Sequence, residues 1–290
     1  MKRSFVGGRW PALFLLLLLP LGLAAQSPVV TLEASYAALS ADGPYEVATY
    51  TDFPGTPEFG AGTIYYPTNA PEPVGGVAIS PGFTELQRHI EWWGPRLASH
   101  GYAVLTLDTN DPRDSPELRA EALMAAVRTL RAENARNGSA LAGRVAVDRM
   151  AVMGHSMGGG GALIAANLHS AELRAAIPFT SWRPDTDFSA ITVPTLVIAG
   201  SNDTIAPSET HAWPHFQGIP ETTPKVYLEF EGGSHFIADT TRGTDLDTIG
   251  RYAVAWLKLY LDGNEEVRGL LYGPRPAGDS DKFSIYVENP

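Results

Sequence analysis

The sequence predicts an α/β protein built on a mostly parallel central sheet that helices cover on both faces. From residue 74 onward, short apolar runs alternate with longer helical segments, which is the pattern of consecutive strand–helix–strand units. A glycine-rich turn at residues 154–161 joins one such run to a helix of small residues. Reactive groups of this architecture gather beyond the carboxyl ends of the strands.

The first 25 residues have the three parts of a signal peptide. A positive segment at residues 2–9 precedes an apolar core at 13–19 and small residues at 23–25. The apolar core is too short for a membrane span, and no later run is long enough. We therefore expect a secreted protein, extracellular or in periplasmic transit, whose mature form is a single domain of residues 26–290.

Two strands, Tyr45–Thr51 and Gly62–Tyr66, are predicted to pair antiparallel because proline and glycine separate them. The alternating part then gives, in chain order, strand Val74–Ser80, helix Glu91–His100, strand Ala103–Asp108, helix Pro116–Glu133, strand Met150–Gly154, helix Gly159–His169, strands Ala175–Pro178, Thr195–Gly200 and Val226–Phe230, and helix Asp245–Leu261. The less regular tail after Asp262 ends in a predicted edge strand, Lys282–Val287.

The segment between the strands ending at Pro178 and beginning at Thr195 is a short loop containing Trp, Pro and Asp residues. A lid domain inserted there would need many more residues. We therefore expect no lid and an open cleft, which suits a bulky or polymeric substrate.

Gly154–Gly158 matches the pattern G-x-S-x-G, with Ser156 at its centre. Between a strand and a helix, this pattern is typical of a nucleophile elbow, a strained turn that projects the serine hydroxyl. The glycines are expected because a Cβ at either end would strike the neighbouring backbone. The alternative is a glycine-rich turn that only packs tightly.

A serine nucleophile needs a general base and an acid that orients the base. His235 lies in a flexible turn directly after a strand, and Asp203 follows the apolar strand that ends at Gly200. The resulting order Ser, Asp, His is the one expected for a nucleophile elbow. Asp203 could instead be a turn former, and Asp108 is a weaker candidate for the acid.

The other six histidines have weaker claims to be the base. His155 cannot reach round to its neighbour Ser156, so we expect it in the cleft wall. Those on or beside helices are expected to be surface or helix-end residues: His89, His100 and His169. Those after the acid loop either rim the cleft or lie in solvent: His211 and His215.

Two backbone amides are predicted to bind the oxyanion. One belongs to Met157 at the start of the helix, and the other to Phe83 in the loop after Val74–Ser80. Each such donor stabilises a transition state by about 3 kcal/mol. The side chains of Phe83, Met157, Trp182 and Ile205 would form an apolar wall, although a core role for Trp182 is almost equally compatible with the sequence.

Composition excludes several function classes. The net charge of −11 would become −14 after loss of the three basic leader residues, which disfavours binding to nucleic acid or anionic membrane. With no cysteine in the chain, thiol nucleophiles, thiolate metal sites and disulfides are excluded. No H-E-x-x-H or similar metal-ligand spacing occurs, so we expect neither metal nor cofactor, and a monomer.

Several collinear segments together resemble the bacterial cutinase and polyester hydrolase family, which includes the poly(ethylene terephthalate) hydrolases. The matching segments are Gly60–Pro67, Pro81–Thr84, Trp92–Leu97, Asp108–Asn110, Gly154–Gly161, Asn202–Pro207 and Gly233–His235. The resemblance implies an α/β-hydrolase fold, a Ser156–His235–Asp203 triad, oxyanion donors at Phe83 and Met157, and an aromatic clamp from Phe83 and Trp182.

The chain departs from that family in several places. It lacks the usual disulfide near the C-terminus, has a longer tail at Glu265–Asp281 and carries an extra stretch around Tyr36–Asp42. Phe83 stands where tyrosine is commonest, and His215 where a bulky apolar residue is frequent. These departures bear on thermostability and on the grip on aromatic polyesters.

The sequence therefore predicts a secreted serine ester hydrolase that cleaves polyesters through an acyl-enzyme. Because His235 must be neutral to act as base, activity should fall as the pH drops through about 6.5. The alternative is a lipase or carboxylesterase of short-chain soluble esters. A third hypothesis is a protein with a hydrolase fold that is catalytically inactive and only binds surfaces.

Overall fold

The computed structural model describes residues 32–71, 73–275 and 277–290. The predicted signal peptide, residues 1–25, lies outside the described residues. The strands are β1 Val47–Tyr50, β2 Ala61–Pro67, β3 Val74–Ser80, β4 Tyr102–Asp108, β5 Val145–His155, β6 Ala175–Phe179, β7 Thr195–Gly200, β8 Lys225–Phe230 and β9 Phe283–Asn289. The helices are α1 Leu32–Ser40, α2 Trp93–Ser99, α3 Pro116–Ala135, α4 Met157–Leu168, α5 Ala212–Gly218, α6 Leu246–Tyr260 and α7 Arg268–Leu271.

The strands form one sheet in the order β1-β2-β4-β3-β5-β6-β7-β8-β9. Pairing is parallel from β4 through β8 and antiparallel for β1 with β2, β2 with β4 and β8 with β9. This confirms both the mostly parallel sheet and the antiparallel N-terminal pair. The predicted edge strand near the C-terminus is also confirmed, as β9.

Each side of the sheet carries a hydrophobic layer, because successive residues of a strand point to opposite faces. In β7, Val197 and Ala199 join the layer that contains residues of α3 and α4. Leu196 and Ile198 join the opposite layer, which contains residues of α2 and α6. Helices therefore cover both faces, as the sequence predicts.

Several elements differ from those that the sequence predicts. The elbow strand begins at Val145 rather than Met150, since its first half is partly exposed and carries Asp148 and Arg149. The helices α1, α5 and α7 were not predicted. No described helix is long and apolar enough to cross a membrane.

The register of the sheet aligns the ends of the strands that carry the candidate site. Ser80 of β3 pairs with Gly154 of β5, and Gly200 of β7 pairs with Phe230 of β8. The loops after these strands therefore leave the same edge of the sheet. This edge holds Ser156, Asp203 and His235.

Candidate active site

Ser156 lies between β5 and α4 in an unusual backbone conformation. Its φ of 54° and ψ of −118° lie outside the regions that residues with a Cβ commonly adopt. The turn is held by the Ser156 amide, which donates to the Phe179 carbonyl at 3.1 Å, and by the Ser156 carbonyl, which accepts from Gly160 and Trp182. Surrounding hydrogen bonds thus stabilise the strained turn that the sequence predicts.

Glycine is required at both ends of this turn. A Cβ on Gly154 would overlap the backbone carbonyl of Gly158, and a Cβ on Gly158 would overlap the carbonyls of Ser80 and Pro81. The loop after β3 also approaches closely, since a Cβ on Gly82 would lie 2.9 Å from the Cβ of Ser156. The loop after β3 therefore passes directly over the serine.

Three side chains from distant parts of the chain form a hydrogen-bonded line. The His235 Nε2 atom lies 2.9 Å from Ser156 Oγ, and His235 Nδ1 lies 2.7 Å from Asp203 Oδ2. All three residues are buried, with at most 6% of each exposed. A carboxylate at Nδ1 fixes the proton on that nitrogen and leaves Nε2 free to accept a proton from the serine hydroxyl.

The backbone holds Asp203 in position for this contact. Its Oδ1 accepts hydrogen bonds from the amides of Ile205 at 2.9 Å and Ala206 at 2.8 Å, so Oδ2 faces the imidazole. The alternative acid, Asp108, is engaged elsewhere, because it accepts from the backbone amide and the side-chain amide of Gln87.

The structure corrects one of the histidine predictions. His215 is neither a rim residue nor a solvated one, since it lies on α5 with no exposed surface and its Nδ1 is 2.8 Å from Ser181 Oγ. Burial lowers the pKa of His215 to about 4. His211 is half-buried with Nδ1 3.2 Å from the Arg183 carbonyl, so it is not a freely solvated side chain either.

The predicted surface or helix-end histidines differ in environment. His100 is buried, and Nε2 donates to the Ala41 carbonyl at 3.0 Å. Its burial lowers the pKa of His100 to about 4. His89 and His169 are half-buried and contact nearby groups, with Nδ1 of His169 3.0 Å from Glu172.

A cavity of about 410 Å³ opens beside Ser156. Its lining residues are Phe83, Thr84, Glu85, His89, His155, Ser156, Ile205, His235, Phe236, Thr241 and Arg242. Phe83 and Ile205 are strongly exposed at 47% and 53%, so the cleft has an apolar, open rim.

The remaining predicted wall residues lie outside this lining. Trp182 is half-buried, and its ring lies 5.9 Å from that of His211. Met157 is half-buried at the first position of α4. The structure thus brings Phe83, His155 and Ile205 into the cavity wall and leaves Trp182 and Met157 beside it.

Sequence reasoning missed a polar network in the wall of the cleft. Glu85 is 6% exposed. It contacts the His155 ring, the backbone amide of Gly82 and the guanidinium group of Arg242. Arg242 also donates to Asp239 at 2.7 Å and lies over the Phe236 ring, 3.4 Å from its centroid. The signal available in the sequence was a carboxylate three residues after Gly82 in the oxyanion loop.

No metal centre is formed in the part of the chain that the structure describes, where no three His, Asp or Glu side chains are grouped suitably for an ion. The chemistry of the cleft is that of a hydroxyl, an imidazole and a carboxylate. That combination suits acyl transfer through a serine nucleophile.

Comparison with known proteins gives matches over most of the chain. The model of the PETase family, described as PET hydrolase-like, matches residues 26–289. A bis(hydroxyethyl) terephthalate hydrolase from Streptomyces coelicolor is 42% identical over 248 residues, which are 84% of this chain and 76% of the relative. Cutinase 1 of Thermobifida cellulosilytica is 44% identical over 218 residues, 75% of this chain and 80% of the relative. A cutinase of Thermobifida fusca is also 44% identical over 218 residues, 75% of this chain and 69% of the relative.

Proposed function

The chain belongs to the PET hydrolase-like family, and from this membership and the geometry of the cleft we propose that it is a serine ester hydrolase that cleaves polyesters. The proposed substrates are cutin-like and aliphatic polyesters, together with aromatic terephthalate polyesters. The observation that carries this function is the hydrogen-bonded line from Ser156 Oγ through His235 to Asp203, beside an open cleft.

In the proposed reaction, Ser156 Oγ attacks the ester carbonyl while His235 Nε2 takes the hydroxyl proton. Asp203 keeps the Nδ1 proton in place and stabilises the imidazolium that forms. His235 then gives its proton to the leaving alcohol, and the acyl group stays on Ser156. Water, deprotonated by the same imidazole, releases the carboxylic acid and restores the serine.

The tetrahedral intermediate carries a negatively charged oxygen. We propose that the backbone amides of Phe83 and Met157 donate hydrogen bonds to it. Two features support this assignment. The Gly82 backbone passes over the Cβ of Ser156, which brings the next amide close to the reacting carbon. Met157 is the first residue of α4, where an unpaired amide and the positive end of the helix dipole favour an anion.

The rim of the cleft supports a polymeric substrate. Phe83 and Ile205 expose apolar surface in the wall of the cavity beside Ser156, and only the 180–194 loop, rather than a lid, connects β6 and β7. A polyester chain carries no charge along its length and would lie against such a rim. We therefore favour a polyester over a short-chain soluble ester, which needs no extended surface.

The other parts of the proposal concern the protein in its setting. Residues 1–25 would direct export, so the working form would be a monomeric single domain of residues 26–290 outside the cytoplasm. The three side chains supply all the chemistry, and no cofactor is needed.

Three substrates measured with one preparation test this function. We expect soluble product from an aliphatic polyester film and from a terephthalate polyester film, together with turnover of a short-chain nitrophenyl ester. Ser156→Ala should abolish all three activities. Turnover of the nitrophenyl ester without release from any film would favour the soluble-ester alternative, and full activity of Ser156→Ala would refute the mechanism.

A further inference from the structure

Glu85 joins three segments of the proposed active site from a buried position. Its Oε2 accepts from the Gly82 amide at 2.8 Å and lies 2.6 Å from His155 Nδ1. Its Oε1 accepts from Arg242 Nη2 at 3.2 Å. One carboxyl group therefore contacts the oxyanion loop, the elbow and the loop that follows His235.

The other nitrogen of the His155 ring holds the backbone of the proposed base. His155 Nε2 lies 2.8 Å from the His235 carbonyl oxygen, and the same oxygen accepts from the Thr180 hydroxyl at 2.9 Å. A carbonyl can only accept hydrogen bonds, so His155 Nε2 must carry a proton. The charge of the His155 ring then depends on its Nδ1 atom alone.

The surroundings of Glu85 decide where that second proton lies. A carboxyl group that accepts two further hydrogen bonds, from Gly82 and Arg242, is favoured in its ionised form. Burial alone opposes the charge, but the His155 hydrogen bond, the His155 charge and the Gly82 amide together lower the pKa of Glu85. Burial likewise opposes the charge on His155, yet Glu85 raises the pKa of His155.

We propose that Glu85 is a positioning residue of this active site, an inference that rests on the proposed function. As a carboxylate it keeps the His155 ring doubly protonated, and His155 then anchors the backbone carbonyl of His235. The same carboxylate anchors Gly82, whose neighbour Phe83 supplies one proposed oxyanion donor. Glu85 thus fixes the distance between the base and the oxyanion site through these two anchors.

Other charged groups face this pair from the elements around it. Arg242 and Asp239 belong to the loop after His235, His89 to the short 3₁₀ turn after Glu85, and Arg119 to α3. The His235 ring centroid lies 4.9 Å from that of His155. Of these groups, only Arg242 makes a direct contact with Glu85 besides His155 and Gly82, so the Glu85–His155 pair is the central element of the cluster.

The charge on His155 can be observed directly in the wild-type protein. With ¹⁵N-labelled histidine, long-range ¹H–¹⁵N correlation spectra report the protonation of each ring nitrogen, and His155→Gln identifies the His155 signals. We expect both nitrogens of His155 to be protonated at pH 7 and pH 8. In Glu85→Gln, only Nε2 should remain protonated at pH 8. A wild-type His155 with an unprotonated Nδ1 at pH 7 would overturn the proposal.

Kinetics test whether this charge positions the base. Glu85→Gln allows His155 to lose a positive charge beside His235, so the acid limb of the kcat/KM profile on a soluble nitrophenyl ester should move to higher pH by roughly half a unit. We expect kcat to fall about tenfold through misplacement of the reacting groups, with KM nearly unchanged. His155→Gln, whose amide can still donate to the His235 carbonyl, should move the acid limb in the same direction.

Asp279→Asn is the matched control, since Asp279 is a buried carboxylate bonded to Arg251 and Tyr252, outside the cavity lining. It should lower thermal stability and leave the acid limb in place. If Glu85→Gln lowered kcat/KM by the same factor at every pH, the acid limb would not move. Glu85 would then have only a structural role, and the proposal would be wrong. These results are separate from those for the proposed function, because the ring-nitrogen spectra need no esterase activity and a failure of Ser156→Ala to abolish turnover would not alter them.

Discussion

Ser156 occupies its position because glycine neighbours allow a turn that other residues would block. The serine backbone has a φ of 54°, and the missing Cβ atoms of Gly154 and Gly158 leave room for the adjacent carbonyls. The sequence pattern around Ser156 was sufficient to predict this turn, since each glycine in it has a steric reason.

Gly158→Ala tests that reason. A Cβ there overlaps the carbonyls of Ser80 and Pro81, so we expect a loss of about 2 kcal/mol in the free energy of unfolding and a large fall in kcat. Gly55→Ala is the control, since nothing lies within 4 Å of a Cβ at Gly55. Denaturant titration and esterase kinetics of both variants give the answer, and equal stability of the two would contradict the steric explanation.

Asp203→Asn tests the choice between the two candidate acids. An amide at residue 203 favours the wrong imidazole tautomer, and kcat should fall by about 10³–10⁴ while the fold is retained. Asp108→Asn, which alters the two hydrogen bonds with Gln87 and lies outside the proposed triad, should keep kcat within a few-fold of wild type. If Asp108→Asn lowered kcat more than Asp203→Asn, Asp108 would be the acid that orients the imidazole.

Chain order and strand ends were enough to select Asp203 and His235 from the sequence, but not to find Glu85. The partners of Glu85 are 70 residues away at His155 and 157 residues away at Arg242. No local pattern encodes contacts of that separation. The network became visible only when the loops after β3, β5 and β8 were brought to one edge of the sheet.

At the scale of elements, the two unusual segments at the ends of the chain lie against each other. Tyr36 of α1 donates to Asp279 at 2.5 Å, and its ring lies 3.8 Å from the Arg251 guanidinium carbon. Asp279 also accepts from Arg251 of α6 at 2.7 Å. The extra N-terminal stretch and the long tail are therefore joined by the hydrogen bond from Tyr36 to Asp279. A buried ion pair with Arg251 holds Asp279 in place, in a chain that has no disulfide.

Asp279→Asn should cost about 3 kcal/mol of unfolding free energy, because it leaves Arg251 buried without its counter-charge. Activity at 25 °C should be unchanged, since none of the contacting residues lines the cleft. Asp42→Asn is the surface control, as Asp42 is 82% exposed and 3.5 Å from Arg96, and it should cost less than about 0.5 kcal/mol. Thermal melts with parallel ester assays measure both effects, and a drop in activity of Asp279→Asn without loss of stability would be contrary to this account of the tail.

The sequence predicted the strands of the central sheet closely but missed α1, α5 and the four-residue helix α7. Central strands are uniformly apolar, and their burial follows from composition alone, as in Thr195–Gly200. The helix α5 has only seven residues and contains Pro214, so its local pattern is weak. Helix α1 is stabilised by side chains more than 200 residues away, such as Arg251.

At the scale of the whole molecule, the buried histidines set the response to acid. Burial lowers the pKa values of His100 and His215 to about 4, below the unfolded value of about 6.5. The unfolded chain therefore takes up these protons first, and stability should fall between pH 6.5 and pH 4, by up to about 3 kcal/mol for each histidine.

His215→Gln isolates one of these contributions. The variant should lose about 3 kcal/mol less stability than wild type between pH 7 and pH 4, because residue 215 no longer titrates. Denaturant titrations at several pH values measure the difference. Identical pH dependence in the two proteins would mean that His215 does not remain neutral in the folded state.

The topology of the whole sheet explains why three separate loops can form one site. Ser156 follows β5, Asp203 follows β7 and His235 follows β8, and these strands end at the same edge.

The central claim is that this edge makes Ser156 the nucleophile of an ester hydrolase. The most direct test is to treat the protein with a fluorophosphonate and map the product by intact-mass and peptide mass spectrometry. We expect one adduct per chain, on Ser156, with loss of ester turnover in proportion to labelling and no adduct in Ser156→Ala. Full labelling at another residue, or turnover that persists in fully labelled protein, would contradict it.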